Sequence, residues 1–197
     1  MNGTLLLVSA SILWGVVHSL TASHRAKAFA TRFFGESTAQ RFYRFGYNLF
    51  SVITFLPILA LLVLLPDQFL YRIPAPWLFL TLLGQALAVI ALVAGVLQTG
   101  ALEFIGLRQL IDPSRAEVAS LTTHGLYRYV RHPLYTAGLV FLWLTPEMTL
   151  NRLALWIVFS LYLVIGAYFE ERKLLRDFGQ QYADYKAKTP MLIPRFW

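Results

Sequence analysis

The chain has 197 residues, of which 57% are hydrophobic and only 14% are charged, and its mean hydropathy is +0.58. Globular domains carry about 25% charged residues, so the composition excludes an ordinary soluble domain and predicts an integral membrane protein in a lipid bilayer. The net charge of +7 does not indicate a nucleic-acid partner, because the basic residues are scattered among loops between apolar runs. The chain has no cysteine, which excludes disulfides and thiolate ligands, and we predict no metal site.

Five apolar segments follow in chain order. Residues 4–20, 46–65 and 77–97 are close to the 20 or so residues that cross the hydrocarbon, and each is predicted to be a transmembrane helix. Residues 134–148 and 153–169 are shorter, and we predict a short helical hairpin that turns at TPEMTLNR. The predicted fold is therefore an all-α integral membrane protein with about five transmembrane helices in a single domain.

Charged residues in the loops predict the orientation of these helices. The segments after the first and third helices and the C-terminal tail are rich in arginine and lysine, whereas residues 66–76 contain only Asp67 and Arg72. By the positive-inside rule we expect the N-terminus outside and the C-terminus in the cytoplasm. No lysine or arginine precedes the first helix, so we expect it not to be a cleaved signal.

The segment THGLYRYVRHPLY, residues 123–135, carries more hydrogen-bonding groups than an orienting charge patch needs. Pro133 suits the first turn of the following helix. His132 is then expected at a helix N-terminus, beside unpaired N–H groups that favour an anionic ligand group. Tyr135 lies on the first turn and can point toward the same place. The alternative is an interfacial belt, in which Tyr, His and Arg anchor a helix at headgroup level.

A second polar cluster lies where the last apolar helix is expected to leave the membrane. Glu170 and Glu171 stand there, and an acid at a membrane boundary is a candidate for holding a cation or ligand hydroxyls. The alternative is an ordinary solvated helix start, with Glu171 paired to a nearby Lys or Arg. Apolar spacing after this point predicts an amphipathic helix with Leu174, Leu175, Phe178, Tyr182 and Tyr185 on one face, followed by an extended cap, TPMLIPRFW.

Together, GLYRYVRHPLY, the apolar hairpin, the glutamate pair and FGQQYADYKAKTPMLIPR resemble the isoprenylcysteine carboxyl methyltransferase superfamily, which includes phospholipid methyltransferases. EFIGLRQL, TPEMT, FEER, PMLIPR and VVHSLTASHRAKAF are similar to its bacterial methanethiol S-methyltransferase members. The resemblance implies a bacterial inner-membrane methyltransferase that uses S-adenosylmethionine and acts on a small thiol or lipophilic acceptor. Residues 1–100 would supply three helices, and residues 101–197 the methyltransferase core with a cytoplasmic cofactor site.

The resemblance also implies roles for individual residues. The cofactor-binding candidates are Gln109, Ala119, Ser120, Leu121, Thr122, Tyr127, His132, Pro133, Leu134, Tyr135 and Glu170. The catalytic candidates are Glu170, Tyr135 and His18. A thiol acceptor must ionise before it reacts, and Tyr135 and His18 are possible bases. For His18 and for His24 the alternative is a helix-capping or interfacial histidine.

One position departs from the prenylcysteine enzymes. They carry an arginine, associated with the substrate, one helical turn before the cofactor-holding glutamate, and Gly166 stands there in this chain. A carboxylate substrate would therefore need another cation, from Arg128, Arg131 or Arg172. The alternatives to thiol methylation are an isoprenylcysteine-type O-methyltransferase, a non-catalytic accessory protein, and a nicotinamide-dependent reductase. The lack of a G-x-G-x-x-G loop counts against the reductase. The oligomeric state is not defined by the sequence.

Overall fold

The computed structural model describes residues 3–112 and 121–195. These ranges are mostly helical. A 3-10 turn at Gly125–Arg128 lies between the sixth and the seventh helix. In chain order the helices and strands are α1 (Gly3–Thr21), α2 (His24–Phe34), α3 (Glu36–Leu64), β1 (Phe69–Arg72), α4 (Trp77–Gln98), α5 (Ala101–Ile105), α6 (Leu107–Ile111), α7 (Pro133–Trp143), β2 (Glu147–Thr149), α8 (Leu150–Phe178) and α9 (Gln180–Lys188).

Four helices in the described part of the chain, α1, α3, α4 and α8, are long and apolar enough to cross a membrane. The prediction of a helical integral membrane protein is therefore confirmed. One further apolar helix, α7, has 11 residues. It measures about 16 Å at 1.5 Å per residue, which is roughly half the hydrocarbon thickness.

The last long helix differs from the predicted short hairpin arm. α8 has 29 residues, whereas the apolar run that predicted it covers only residues 153–169. The helix continues through EERKLLRD, because Glu, Arg, Lys and Leu are all good helix formers. Glu170 and Glu171 consequently lie inside a continuous helix and not at the start of a separate one.

A two-stranded ribbon occupies part of the segment that was predicted as the hairpin turn. β2 pairs antiparallel with β1, and Arg72 lies opposite Glu147. The Arg72 Nε donates to the Glu147 carboxylate at 2.9 Å. Strands of three and four residues are too short to show an alternating sequence pattern, so the sequence analysis missed both.

The described residues cluster into two compact units. The first comprises Met1–Gln68, Gly100–Ala119 and Leu150–Leu155, and the second comprises Phe69–Thr99, Ser120–Thr149 and Trp156–Trp197, as far as these ranges are described. In the first unit, the turn between α5 and α6 lies directly on α3: a Cβ on Gly106, at φ 90°, would come within 2.6 Å of the Phe45 backbone nitrogen. Only glycine suits that position.

Close helix packing organises the second unit. A Cβ on Gly95 of α4 would approach Leu134 of α7 to 2.7 Å, so the absent side chain lets α4 and α7 come close, as small residues do between membrane helices. The side chain of Gln98, at the end of α4, accepts a hydrogen bond from the Leu126 backbone N–H at 3.0 Å. α4 therefore fixes both the start of α7 and the turn before it.

Candidate functional site

The start of α7 places His132 and Tyr135 side by side. Pro133 is the first residue of the helix and His132 is its N-cap, as predicted, because proline's fixed φ suits a first turn. The Thr136 backbone N–H donates to the His132 carbonyl at 3.0 Å. One turn along the helix, the Tyr135 ring stacks on the His132 imidazole with centroids 5.4 Å apart and planes at 6°.

The two glutamates of α8 approach the two ring nitrogens of His132. Its Nδ1 lies 3.7 Å from Oε2 of Glu170, and its Nε2 lies 3.5 Å from Oε1 of Glu171. The His132 side chain is 5% exposed, and Nε2 has no hydrogen-bond partner among the described residues. Burial lowers the pKa of His132, although both carboxylates act to raise it. The structure thus brings together His132, Tyr135 and Glu170, three of the predicted site residues.

Glu170 and Glu171 have opposite surroundings despite being neighbours. The Glu171 side chain is 5% exposed, whereas that of Glu170 is 43% exposed. The Glu171 carboxylate accepts from Arg131 Nε at 2.6 Å and lies 2.7 Å from Lys186 Nζ. The alternative of a solvated helix start is therefore wrong, because Glu171 is buried and lies inside α8. Its expected pairing with an arginine or a lysine is present, with cations that come from 40 residues before it and 15 after it.

Arg131 joins this ion pair to the C-terminal segment. Its guanidinium, on a side chain only 8% exposed, forms a salt bridge with Glu171. It also donates to the carbonyl oxygen of Lys186 at 3.1 Å and to that of Thr189. Because nearly all of its donors are used within the protein, Arg131 is not suited to replace the arginine that prenylcysteine enzymes carry at the position of Gly166. Apolar spacing gave no signal of this cluster, and the sequence analysis did not predict it.

The predicted extended cap lies along the turn that leads into α7. The Arg131 backbone N–H donates to the Pro190 carbonyl at 2.9 Å, and that of His132 donates to Met191 at 3.1 Å. The Thr136 hydroxyl donates to the Leu192 carbonyl at 2.7 Å. Residues 190 and 191 therefore pair with the His132 turn through backbone hydrogen bonds, which a sequence pattern cannot specify, and Leu192 is held by the Thr136 side chain.

Tyr127 lies in the 3-10 turn before this segment. A Cβ on Gly125, at φ 61°, would come within 2.5 Å of the Gln98 side chain, so glycine is needed for the turn to lie on α4. The Tyr185 hydroxyl of α9 donates to the Tyr127 carbonyl at 2.5 Å. Burial raises the pKa of Tyr127, and the charge of Glu170 raises it further. Burial also raises the pKa of Tyr185 to about 12.

The other cofactor-binding candidates are placed as follows. Leu134 packs against Gly95 on α4. Leu121 and Thr122 are half-buried and lie before the 3-10 turn in the second unit, whereas Ala119 and Ser120 lie outside the described residues. Gln109 belongs to the first unit. Its side chain is buried, and its Oε1 has no hydrogen-bond partner within the described ranges.

His18 also belongs to the first unit, on α1. Its Nδ1 lies 2.9 Å from the Ser51 hydroxyl, and its Nε2 lies 2.7 Å from the Tyr47 hydroxyl of α3. The ring stacks on Trp14 at 4.8 Å and 17°. These contacts give His18 a role in joining α1 to α3. His24, the first residue of α2, is exposed. Residues 3–112 and 121–195 contain no cluster of three His, Asp or Glu side chains suited to a metal ion.

Four apolar helices of spanning length and a partly buried polar site at the start of α7 define an integral membrane protein with a candidate ligand site. The model of the phospholipid methyltransferase family matches residues 79–181, which are more than half of the chain and include His132, Glu170 and Glu171. The chain belongs to this family.

Individual relatives carry methyltransferase names. A methanethiol S-methyltransferase of Pseudomonas deceptionensis is 37% identical over 95 residues, which are 47% of this chain and 36% of the relative. Methanethiol S-methyltransferase 1 of Bradyrhizobium diazoefficiens is 31% identical over 186 residues, 92% of this chain and 64% of the relative. A protein-S-isoprenylcysteine O-methyltransferase of Schizosaccharomyces pombe is 34% identical over 122 residues, half of each chain.

The chain thus spans between about a third and two thirds of the length of these three relatives. No solved structure matches it with significance.

Proposed function

We propose that the protein is an S-adenosylmethionine-dependent methyltransferase of the bacterial inner membrane that acts on a small thiol or lipophilic acceptor. The proposal is supported by the family, by the names of the relatives and above all by one feature of the second unit. That feature is the meeting of buried His132, stacked Tyr135 and half-exposed Glu170. We place this site on the cytoplasmic side, with the N-terminus outside, on the basis of the positive-inside rule.

The residues present suit the methyl donor. The buried Nε2 of His132 makes no close hydrogen bond among the described residues, and its nearest acceptor is Glu171 Oε1 at 3.5 Å, so it has capacity for a ligand. The N-terminus of α7 favours a carboxylate, and the Glu170 carboxylate favours amino and hydroxyl groups. S-adenosylmethionine carries all of these groups and supplies an electrophilic methyl on a sulfonium.

The buried ion pair has a positioning role in this proposal. Arg131 precedes His132 in the chain, and Glu171 follows Glu170, so the Arg131–Glu171 bridge fixes the backbone beside both candidate ligand-binding side chains. Lys186 and the carbonyl of Thr189 extend this fixation to the C-terminal segment. Positioning alone can supply several kcal/mol of a displacement barrier, which makes a rigid surround useful for methyl transfer.

The acceptor is proposed to be a thiol because a carboxylate lacks an obvious partner. Gly166 supplies no cation one turn before Glu170, and Arg131 is already paired with Glu171. Arg128 and Arg172 are left as the replacement cations for an isoprenylcysteine-type carboxyl acceptor, which the yeast relative makes the second candidate. A thiol needs only to lose its proton, and Tyr135 is the proposed base.

The proposal is tested by titrating detergent-purified protein with S-adenosylmethionine and following its thermal unfolding. A ligand that binds only the folded state raises the free energy of unfolding by about 2.7 kcal/mol when its concentration is a hundred times the dissociation constant. We expect stabilisation in the wild type and its loss in His132→Ala. If saturating donor leaves the melting temperature of the wild type unchanged, the methyltransferase assignment is wrong. Binding without turnover on any thiol or prenylcysteine would favour an accessory protein instead.

A further inference from the structure

A groove in the first unit is lined in part by Tyr47, the residue that contacts His18. It has a cavity volume of about 440 Å³ and lies between α2, α3 and the end of α1. Its walls are predominantly apolar and include Ala30 and Phe34 of α2 and Phe42, Gly46 and Phe50 of α3. Ligand pockets commonly measure about 300–1,000 Å³. At about 30 Å³ for a water-sized group, the groove has room for roughly fifteen such groups in a row or cluster, which suits a hydrocarbon chain.

The outer face of α2 combines cations with aromatic rings. Arg25, Phe29, Arg32 and Phe33 are spaced i, i+4, i+7 and i+8, so they share one face of the helix. Phe29 and Phe33 are 68% and 73% exposed, and their rings stack with centroids 6.2 Å apart. Both arginines are exposed as well. We expect this mixed face to lie at the membrane interface, where its rings can contact lipid and its arginines can contact phosphates.

The charge of α2 and of the start of α3 favours an anionic lipid. Segment 24–44, which forms α2 and the first turns of α3, contains five Arg or Lys residues and one acid, Glu36. Arg41 donates to the Leu110 carbonyl at 2.9 Å and lies over the Phe42 ring, so it is engaged within the protein. Arg25 and Arg32 extend from the exposed face of α2 and are placed to meet an anion. A zwitterionic lipid would bring its own cation to the same place.

We propose that the groove and the outer face of α2 bind one anionic phospholipid, with an acyl chain in the groove and the phosphate against Arg25 and Arg32. Phe29 and Phe33 then lie between the phosphate and the acyl chain, in contact with the lipid. The occupant is distinct from the methyl acceptor, and the proposal does not depend on the proposed function.

The test uses the full chain in nanodiscs that contain a trace of phosphatidylglycerol or phosphatidylcholine with a diazirine in the acyl chain. After irradiation, labelled peptides are mapped by mass spectrometry. We expect phosphatidylglycerol to label residues 24–50 about tenfold more than phosphatidylcholine, because each of two cations contributes to binding an anionic headgroup. The preference should shrink in high salt. Equal labelling by the two lipids would overturn the proposal.

Two variants separate the groove from the cations. Gly46 lines the groove, and a Cβ there meets no atom within 4 Å. Gly46→Leu is therefore expected to fill the groove and to abolish labelling by either lipid. Arg25→Gln with Arg32→Gln changes only exposed side chains and is expected to remove the preference for phosphatidylglycerol. Gly166→Leu, at another glycine with open space around it, is the matched control and should label like the wild type.

The variants also exclude other occupants. Unchanged labelling in Gly46→Leu, or an unchanged lipid preference in the double arginine variant, would contradict the assignment. In a further arm a thiol acceptor is added while phosphatidylglycerol stays in excess. If the thiol then prevents labelling of residues 24–50, the groove is the acceptor site and the lipid assignment is wrong. Loss of methyl transfer in any variant has no bearing on these outcomes, since the readout is lipid labelling alone.

Discussion

Glu171→Gln tests whether the buried ion pair holds the site together. The Glu171 carboxylate accepts from Arg131 at 2.6 Å and faces Lys186 at 2.7 Å, and the Arg131 side chain is 8% exposed. Glutamine keeps the shape and removes the charge, so Arg131 remains buried without a counter-ion. Breaking a buried pair in this way costs about 3–5 kcal/mol. We expect a loss of about 3 kcal/mol, because the Lys186 and Thr189 carbonyls still accept from Arg131.

The assay is unfolding in detergent micelles, followed by circular dichroism during titration with denaturing detergent. A loss of 3 kcal/mol changes the folding equilibrium by about a hundredfold. Glu170→Gln is the matched control, since it makes the same chemical change one residue away on a side chain that is 43% exposed, and we expect a loss below about 1 kcal/mol.

A double-mutant cycle completes the test. Arg131→Met combined with Glu171→Met removes both charges, so the loss should be smaller than the sum of the two single losses by about 1–3 kcal/mol. Equal destabilisation by Glu170→Gln and Glu171→Gln, or strictly additive losses in the cycle, would refute the account of Glu171 as the buried partner of Arg131.

Three further predictions concern single groups of the site. Burial lowers the pKa of His132. Below the ordinary histidine pKa of about 6.5, the unfolded chain therefore binds a proton that the folded chain does not. The free energy of unfolding should fall as pH drops from 7.5 to 5.5, and His132→Gln should flatten that slope in thermal melts. Tyr185→Phe removes a hydrogen bond to the Tyr127 carbonyl and should cost about 1 kcal/mol of unfolding free energy, measured in the same melts; no change would mean that water replaces the phenol. A small thiol offered in competition with a farnesylcysteine analogue should take most of a labelled methyl group, with a rate that rises toward the thiol pKa of about 8.5; exclusive labelling of the carboxylate would point to Arg128 or Arg172 as the substrate cation.

Local signals in the sequence were sufficient for part of this structure. Apolar length predicted the spanning helices, because spanning the hydrocarbon is a local requirement on each segment. The proline after His132 predicted the first residue of α7 for an equally local reason. The full length of α8 was missed because the prediction stopped where the apolar residues end, although the charged residues after Phe169 continue the helix.

What the sequence did not reveal depends on contacts between distant residues. The bridge from Arg131 to Glu171 and Lys186 joins three segments whose separations carry no periodicity. Residues 190–192 contact the His132 turn through their backbone carbonyls, which every residue type carries. The groove beside Gly46 is likewise a product of how α2 meets α3. These contacts bury Glu171 and leave Glu170 partly exposed. That difference in exposure identifies Glu170 as the candidate ligand-binding glutamate and Glu171 as a structural one.

The central claim is that Glu170 and His132 hold the methyl donor. Transfer of a labelled methyl group from S-adenosylmethionine to a small thiol by detergent-purified protein tests it most directly, with wild type, Glu170→Gln and His132→Ala compared at matched folded fractions. The account predicts methylated thiol from the wild type and a loss of at least about a hundredfold in each variant, as for removal of a preorganised polar group from a reaction site. Turnover by both variants close to that of the wild type would contradict it.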